Sequence, residues 1–173
     1  MKNFLQIIIL LILCTSLKAQ DKNVFDIARK GTLSEIQEIF NQTPELINAI
    51  NDNKATPLIL ACYRNNEAVA LYLSDKVSNV NYNSGMGTAL MAAIMSGNKV
   101  IIEKLISKKA DLDQTDTQGK TALIYAAFNN NTEIVQMLLK AGANKKLADT
   151  ENRTALEYAK FNKNTQLIIL LDN

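Results

Sequence analysis

Residues 121–144 read TALIYAAFNNNTEIVQMLLKAGAN. The stretch opens with Thr121-Ala122-Leu123, runs through the paired alanines Ala126-Ala127, and stops at Asn130, a residue type that tolerates the left-handed conformation ending many helices. A second apolar set, Ile134-Val135-Leu138-Leu139, follows at spacings of three and four, which place it on one helical face. The polar loop Ala141-Gly142-Ala143-Asn144 closes the unit. The pattern predicts helix, tight turn, helix, loop. Two helices this short cannot bury their apolar faces alone, so the unit needs stacked neighbours.

Those neighbours are written on both sides. The threonine opening recurs as Thr56-Pro57-Leu58, Thr88-Ala89-Leu90 and Thr154-Ala155-Leu156, at spacings of 32, 33 and 33 residues. Five residues after each threonine stands an alanine (Ala61, Ala93, Ala126, Ala159), where only a small side chain lets adjacent helices meet closely. Nine residues after the threonines stand Asn65, Gly97, Asn130 and Lys163, and Gly31 takes that place in a more divergent first copy. The last stop is the weak one: Lys163 has a steric cost of roughly 1–2 kcal/mol in the left-handed conformation, and Asn162 or Asn164 offers a stop one residue away. The second apolar faces are Ile36-Ile39-Phe40, Val69-Leu73, Ile101-Ile102-Leu105-Ile106 and Leu167-Ile168-Leu171.

With period 33, the Thr-Pro-Leu opening, the paired alanines and the Lys140-Ala141-Gly142-Ala143-Asn144 exit, the chain resembles the ankyrin repeat from about residue 22 to the end. The resemblance implies an all-α solenoid of about five helix-turn-helix units with short finger loops, in repeats near 22–50, 51–83, 84–116, 117–149 and 150–173. One departure is systematic. The histidine that usually follows Thr-Pro-Leu is replaced by Ile59, Met91, Ile124 and Glu157, which removes a local hydrogen bond.

Composition narrows the chemistry. The 173 residues are 47% apolar with two prolines and six glycines, which suits one helical domain, and they contain no histidine. Histidine-dependent triads and most zinc sites are thereby excluded. Cys62 follows the inner alanine Ala61 and reads as a small buried hydrophobe. Gly85-Met86-Gly87 lacks the strand, helix start and lysine of a phosphate loop and reads as a finger tip. Asp111 and Asp113 read as solvated loop acids. Asn41, Asn130 and Asn152 open glycosylation-type tripeptides that turn roles explain. The expectation is a protein that is not an enzyme and holds no cofactor or metal.

Residues 1–19 form a separate segment. Lys2 precedes an apolar run from Phe4 to Leu13 interrupted only by Gln6, and Thr15, Ser16 and Ala19 follow. About ten apolar residues fall short of the roughly 20 a spanning helix needs, so the segment reads as a signal peptide, with an uncleaved anchor as the alternative. Cleavage after Ala19 or after Ser16 both fit. Lipid attachment at Cys14 is disfavoured because Leu13 stands where such sites resemble one another in carrying a small residue. The expected chain is exported, periplasmic in a double-membrane bacterium and otherwise secreted, with no stable membrane insertion after processing. Loss of 1–19 removes Lys2 and Lys18 and no acid, leaving seventeen bases and seventeen acids from nineteen and seventeen. A nucleic-acid surface needs a clustered basic excess, and Lys108-Lys109 and Lys145-Lys146 are isolated pairs.

The remaining function is binding to another protein. Seven residues after each threonine stand Tyr63, Met95, Phe128 and Phe161, with Arg29 in the first copy, positions the family resemblance turns toward the concave groove. Aromatic and methionine side chains are enriched at the centres of protein interfaces. The alternative is that they lean on neighbouring fingers and extend the core. Arg64 and Asn129 adjoin this line. The finger positions Asp52, Asn53, Gln118, Lys120, Glu151 and Arg153 would form its polar rim. The expected roles are inhibitor, immunity factor or stabiliser of an exported protein. The alternative is a self-associating envelope protein built through the apolar C-terminal helix, Leu167 to Leu171.

Overall fold

The computed structural model describes residues 23–172; residues 1–19, read above as a signal peptide, and with them Cys14, lie outside the described residues. Ten α-helices stand among them in five antiparallel pairs: α1 Val24–Lys30 with α2 Leu33–Gln42, α3 Pro57–Tyr63 with α4 Glu67–Lys76, α5 Ala89–Ser96 with α6 Lys99–Ser107, α7 Ala122–Phe128 with α8 Thr132–Lys140, and α9 Ala155–Phe161 with α10 Thr165–Asp172. A 3-10 turn, Pro44–Asn48, follows α2. The odd-numbered helices stack in sequence along one side and the even-numbered helices line the other.

The threonines start the inner helices for a local reason. Thr56, Thr88 and Thr121 Oγ1 accept from the amides of Ile59, Met91 and Ile124 at 3.3–3.4 Å, each satisfying one of the orphan donors of a helix start. In the last unit Glu157, standing where the family's histidine is expected, accepts from the Thr154 amide (3.1 Å) and hydroxyl. The lost histidine is replaced there by a carboxylate. In the other units packing replaces it, with Met91 and Ile124 buried.

Ala61, Ala93, Ala126 and Ala159 are fully buried, as are Val69, Leu73, Ile101, Ile102, Leu105, Ile134, Val135 and Leu138. One continuous apolar core thus runs from Val24 to Leu171. In α10, Leu167 and Leu171 are buried, Ile168 and Leu170 half-buried, and Ile169 exposed, so the apolar C-terminal run mostly completes the stack. Cys62 is fully buried, and burial holds its thiol far above its usual range, leaving no thiolate for chemistry.

Asparagine joins successive turns. Ten residues after the threonines, Asn66 Nδ2 donates to Gly31 O (2.9 Å), Asn98 Nδ2 to Asn65 Oδ1 (2.7 Å), and Asn164 Nδ2 to Asn130 Oδ1 (2.7 Å). The Oδ1 atoms of Asn98, Asn131 and Asn164 cap the following helix. On the opposite edge Asn48, Asn81 and Asp113 accept from the next unit's Ser78, Asp111 and Asn144 amides at 2.8–2.9 Å. Asp113 therefore links repeats, and Lys108 pairs with Asp75 (2.6 Å) rather than standing alone.

Two stops differ from expectation. Asn65, Gly97 and Asn130 are left-handed, with φ of 58°, 74° and 58°. Gly31 is extended, with φ −80° and ψ 178°. Its need for glycine is steric: a Cβ there would lie 2.7 Å from Ile27 Cα. Lys163 takes the left-handed conformation itself (φ 54°), because Asn162 and Asn164 are committed to hydrogen bonds with the preceding repeat.

Candidate functional site

The expected groove residues stand on or at the ends of the inner helices and on the fingers that precede them. The amide of each finger's first residue donates to a carbonyl at its end: Asn51 to Ala55, Asp116 to Lys120 and Asp149 to Arg153, at 3.0–3.1 Å. The exception is Ser84, whose amide donates to Gly87 at 3.1 Å, one residue earlier. This shortened finger is the origin of the single 32-residue spacing.

A carboxylate organises each of the two long fingers nearest the C-terminus. Asp116 Oδ1 accepts from the Gln118 and Lys120 amides (2.8 and 2.9 Å), and its Oδ2 from Tyr125 Oη (2.6 Å). Asp149 repeats the arrangement with the Glu151 and Arg153 amides (both 2.9 Å) and Tyr158 Oη (2.6 Å), and adds Arg153 Nε at 3.2 Å. The tyrosines stand four residues after their threonines. The corresponding residues in the second and third units are Leu60 and Ala92, with Asn51 and Ser84 at the finger bases. The aspartate-tyrosine spacing of nine is the sequence signal for these locks, and it is carried by only the last two repeats.

The electrostatics follow from the contacts. Burial pushes the Asp149 carboxyl upward, but the Tyr158 hydroxyl, the two amides and the Arg153 guanidinium outweigh it and bring the group down to about 2. Burial and the same hydrogen bond push Tyr158 up to about 12. Tyr125 is raised likewise by burial and by Asp116. Because the folded Asp149 value lies below the ordinary 3.8, its contribution is present above pH about 4 and is lost as pH falls through about 2. The gap corresponds to about 2 kcal/mol. Urea melts of wild type and Asp149→Asn at pH 5 and pH 2 should show the wild-type advantage shrinking by about that amount; an unchanged difference would contradict the carboxylate's role.

Tyr63, Met95, Phe128 and Phe161 are exposed by 56, 45, 50 and 82%. They recur at one place on successive inner helices, and three of them touch a neighbour. Phe128 meets Tyr158 edge-to-face at 5.7 Å, Arg64 lies 5.8 Å over Tyr63, and Asn129 Nδ2 approaches Met95 Sδ at 3.7 Å. Lys120 Nζ sits 5.6 Å over Phe128 and donates to Gln118 Oε1. Asp52, Asn53, Gln118 and Glu151 are exposed at the finger tips, and Arg153 is half-buried, pairing with Glu151 (2.7 Å) and Asp149. An apolar cavity of about 310 Å³ opens between the second and third units, walled by Ile59, Tyr63, Met91, Ala92, Met95 and Tyr125. It exists because Ala92 stands where a tyrosine fills the corresponding space in later units, and because the third finger is short.

Among the described residues no group of three or more His, Cys, Asp or Glu side chains converges on a metal-sized site, and no helix is long and apolar enough to cross a membrane.

A family model described as ankyrin repeats (3 copies) matches residues 24–116 and, overlapping, 90–173. The chain belongs to the ankyrin-repeat family. Ankyrin repeats are protein-binding modules, typically without catalytic activity, and the match includes no catalytic domain. The chain is also similar to the ankyrin repeat and SAM domain-containing protein 6 of Rattus norvegicus and of Mus musculus, 30% and 29% identical over 92 residues. That stretch is 52% of this chain but 10% of those proteins. The ankyrin relatives are thus matched over a tenth of their length.

Proposed function

We propose that this ankyrin chain acts outside the cytoplasm as a binding module that holds a protein partner in its concave groove, inhibiting or stabilising it. The carrying observation is the line of half-exposed to exposed Tyr63, Met95, Phe128 and Phe161 on a scaffold whose other large apolar groups are mostly buried. Aromatic side chains held rigidly by their neighbours bind at low entropic cost. The polar fingers supply the rim that excludes water around such a line. Export rests on residues 1–19 alone. Intact-mass analysis of the native protein tests it, and a full-length chain in the soluble cytoplasm would sink it.

Phe128→Ala tests the groove. Truncation should weaken partner binding about thirtyfold, about 2 kcal/mol. Folding stability should fall by only about 1 kcal/mol, because the half-exposed ring forfeits mainly its edge-to-face contact with Tyr158. The measurement pairs urea melts with the affinity for a partner captured from the native compartment, with the exposed Gln136→Ala as control. A loss of about 3–5 kcal/mol in stability with binding intact would make Phe128 a core residue instead.

A further inference from the structure

The groove is chemically uneven along its length. The apolar cavity between the second and third units adjoins, through the neighbours Tyr63 and Arg64, a second cavity of about 330 Å³ lined by Asp26, Arg29, Lys30 and Arg64. Arg29 spends its charge on Asp26 at 3.0 Å. Arg64 and Lys30 pair with no carboxylate among the described residues. On the other flank Lys120, near Tyr125, likewise has only the neutral Gln118 as polar partner. Lys160 and Arg153, farther along, are neutralised by Glu157, Asp149 and Glu151. An unpaired positive field therefore borders one apolar cavity, in a protein whose charge outside residues 1–19 is balanced.

Resting on the groove function above, we propose that the partner enters as an extended acidic segment, placing one large apolar side chain in the cavity at Ala92 and a carboxylate on Lys30 and Arg64. Charge complementarity selects the acid. The two cavities lie one repeat step apart, about 10 Å for packed helices, and an extended chain advances about 3.3 Å per residue. The acid therefore falls about three positions from the anchor. A cavity of this size takes a leucine, methionine or phenylalanine side chain, and the three methionines in its wall, Met86, Met91 and Met95, adapt to each.

The test pans a randomised twelve-residue peptide library on the full-chain protein and measures selected peptides by fluorescence polarisation. Recovered sequences should share a large apolar residue with Asp or Glu two to four positions away. Arg64→Glu and Ala92→Phe should each weaken them about tenfold or more, with melting unchanged, and panning on Arg64→Glu should turn the acid into Lys or Arg. Ala92→Leu, which repeats the residue found at Leu60, serves should the phenylalanine variant melt early. Peptides without the acid, or indifferent to Arg64→Glu yet weakened by Phe128→Ala, would overturn the acidic-segment proposal and leave the groove standing. Peptides indifferent to all these variants would overturn both. Selection of no binder would overturn the extended segment and leave the groove to a folded surface.

Discussion

Asp149→Ala should lower folding stability by about 3–4 kcal/mol. The carboxylate is 5% exposed as a residue and accepts from four donors. Its removal strands the Tyr158 hydroxyl on a buried side chain and two finger amides, and each buried donor left without an acceptor costs about 1–3 kcal/mol. Arg153 loses less, since it is more exposed and retains Glu151. Asp149→Asn should cost about 1–2 kcal/mol, because an amide oxygen still receives the finger amides, as Asn51 Oδ1 does for Ala55 at 2.9 Å. Chemical denaturation of the three proteins at pH 7 decides it. Equal losses for Ala and Asn would mean that charge alone matters, and no loss for either would mean that the finger is held elsewhere.

These locks mark the limit of what was legible in the sequence. Threonine, alanine and the two apolar faces recur in register because every repeat must solve the same packing problem, and Leu105 or Ile134 could not be anywhere but the core. The places of Tyr63, Met95, Phe128 and Phe161 on the inner helices followed from that register, and their reading as a groove line from the family resemblance alone. The cavity did not, because it arises from a residue that is missing and a side chain that is small: the finger at 84–87 and Ala92. An absence in one repeat has meaning only when the filled version, Tyr125 over Asp116, is seen beside it. Gly31 misled for a related reason. Glycine serves both positive φ and close approach, and only coordinates show Ile27 in the way.

The same comparison explains why, two residues before the threonine of a full-length finger, glycine is needed in one finger and not in the other two. Lys54, Gly119 and Asn152 all lie two residues before their threonines with φ of 59°, 75° and 57°, so the backbone demand is equal. Their neighbours are not. Asn152 belongs to the last finger, and the finger following Lys54 is the short one. Gly119 is followed by a finger of full length, whose Thr150 amide donates to Gln118 O at 2.9 Å.

Gly119→Ala should therefore destabilise the protein by about 3 kcal/mol, from about 1–2 for a non-glycine residue in the left-handed region and about 1–2 for forced displacement of packed backbone. The added Cβ would lie 2.9 Å from Thr150 N and 3.1 Å from Asp149 Cα, and backbone cannot rotate aside as a side chain does. Gly142→Ala is the matched control: its φ is +98° and nothing lies within 4 Å of the new Cβ, so only the conformational part, about 1–2 kcal/mol, should appear. The clash presses on the residue that anchors the last finger, so hydrogen exchange in Gly119→Ala should rise first at the Glu151 and Arg153 amides, which Asp149 holds. Equal losses in the two glycine variants would show that the fingers separate freely and that their stacking contributes nothing. A larger loss at Gly119, with exchange rising at the finger beyond it, would show that each finger is positioned by the one before, so that the short finger at 84–87 sets the spacing of the groove on both sides.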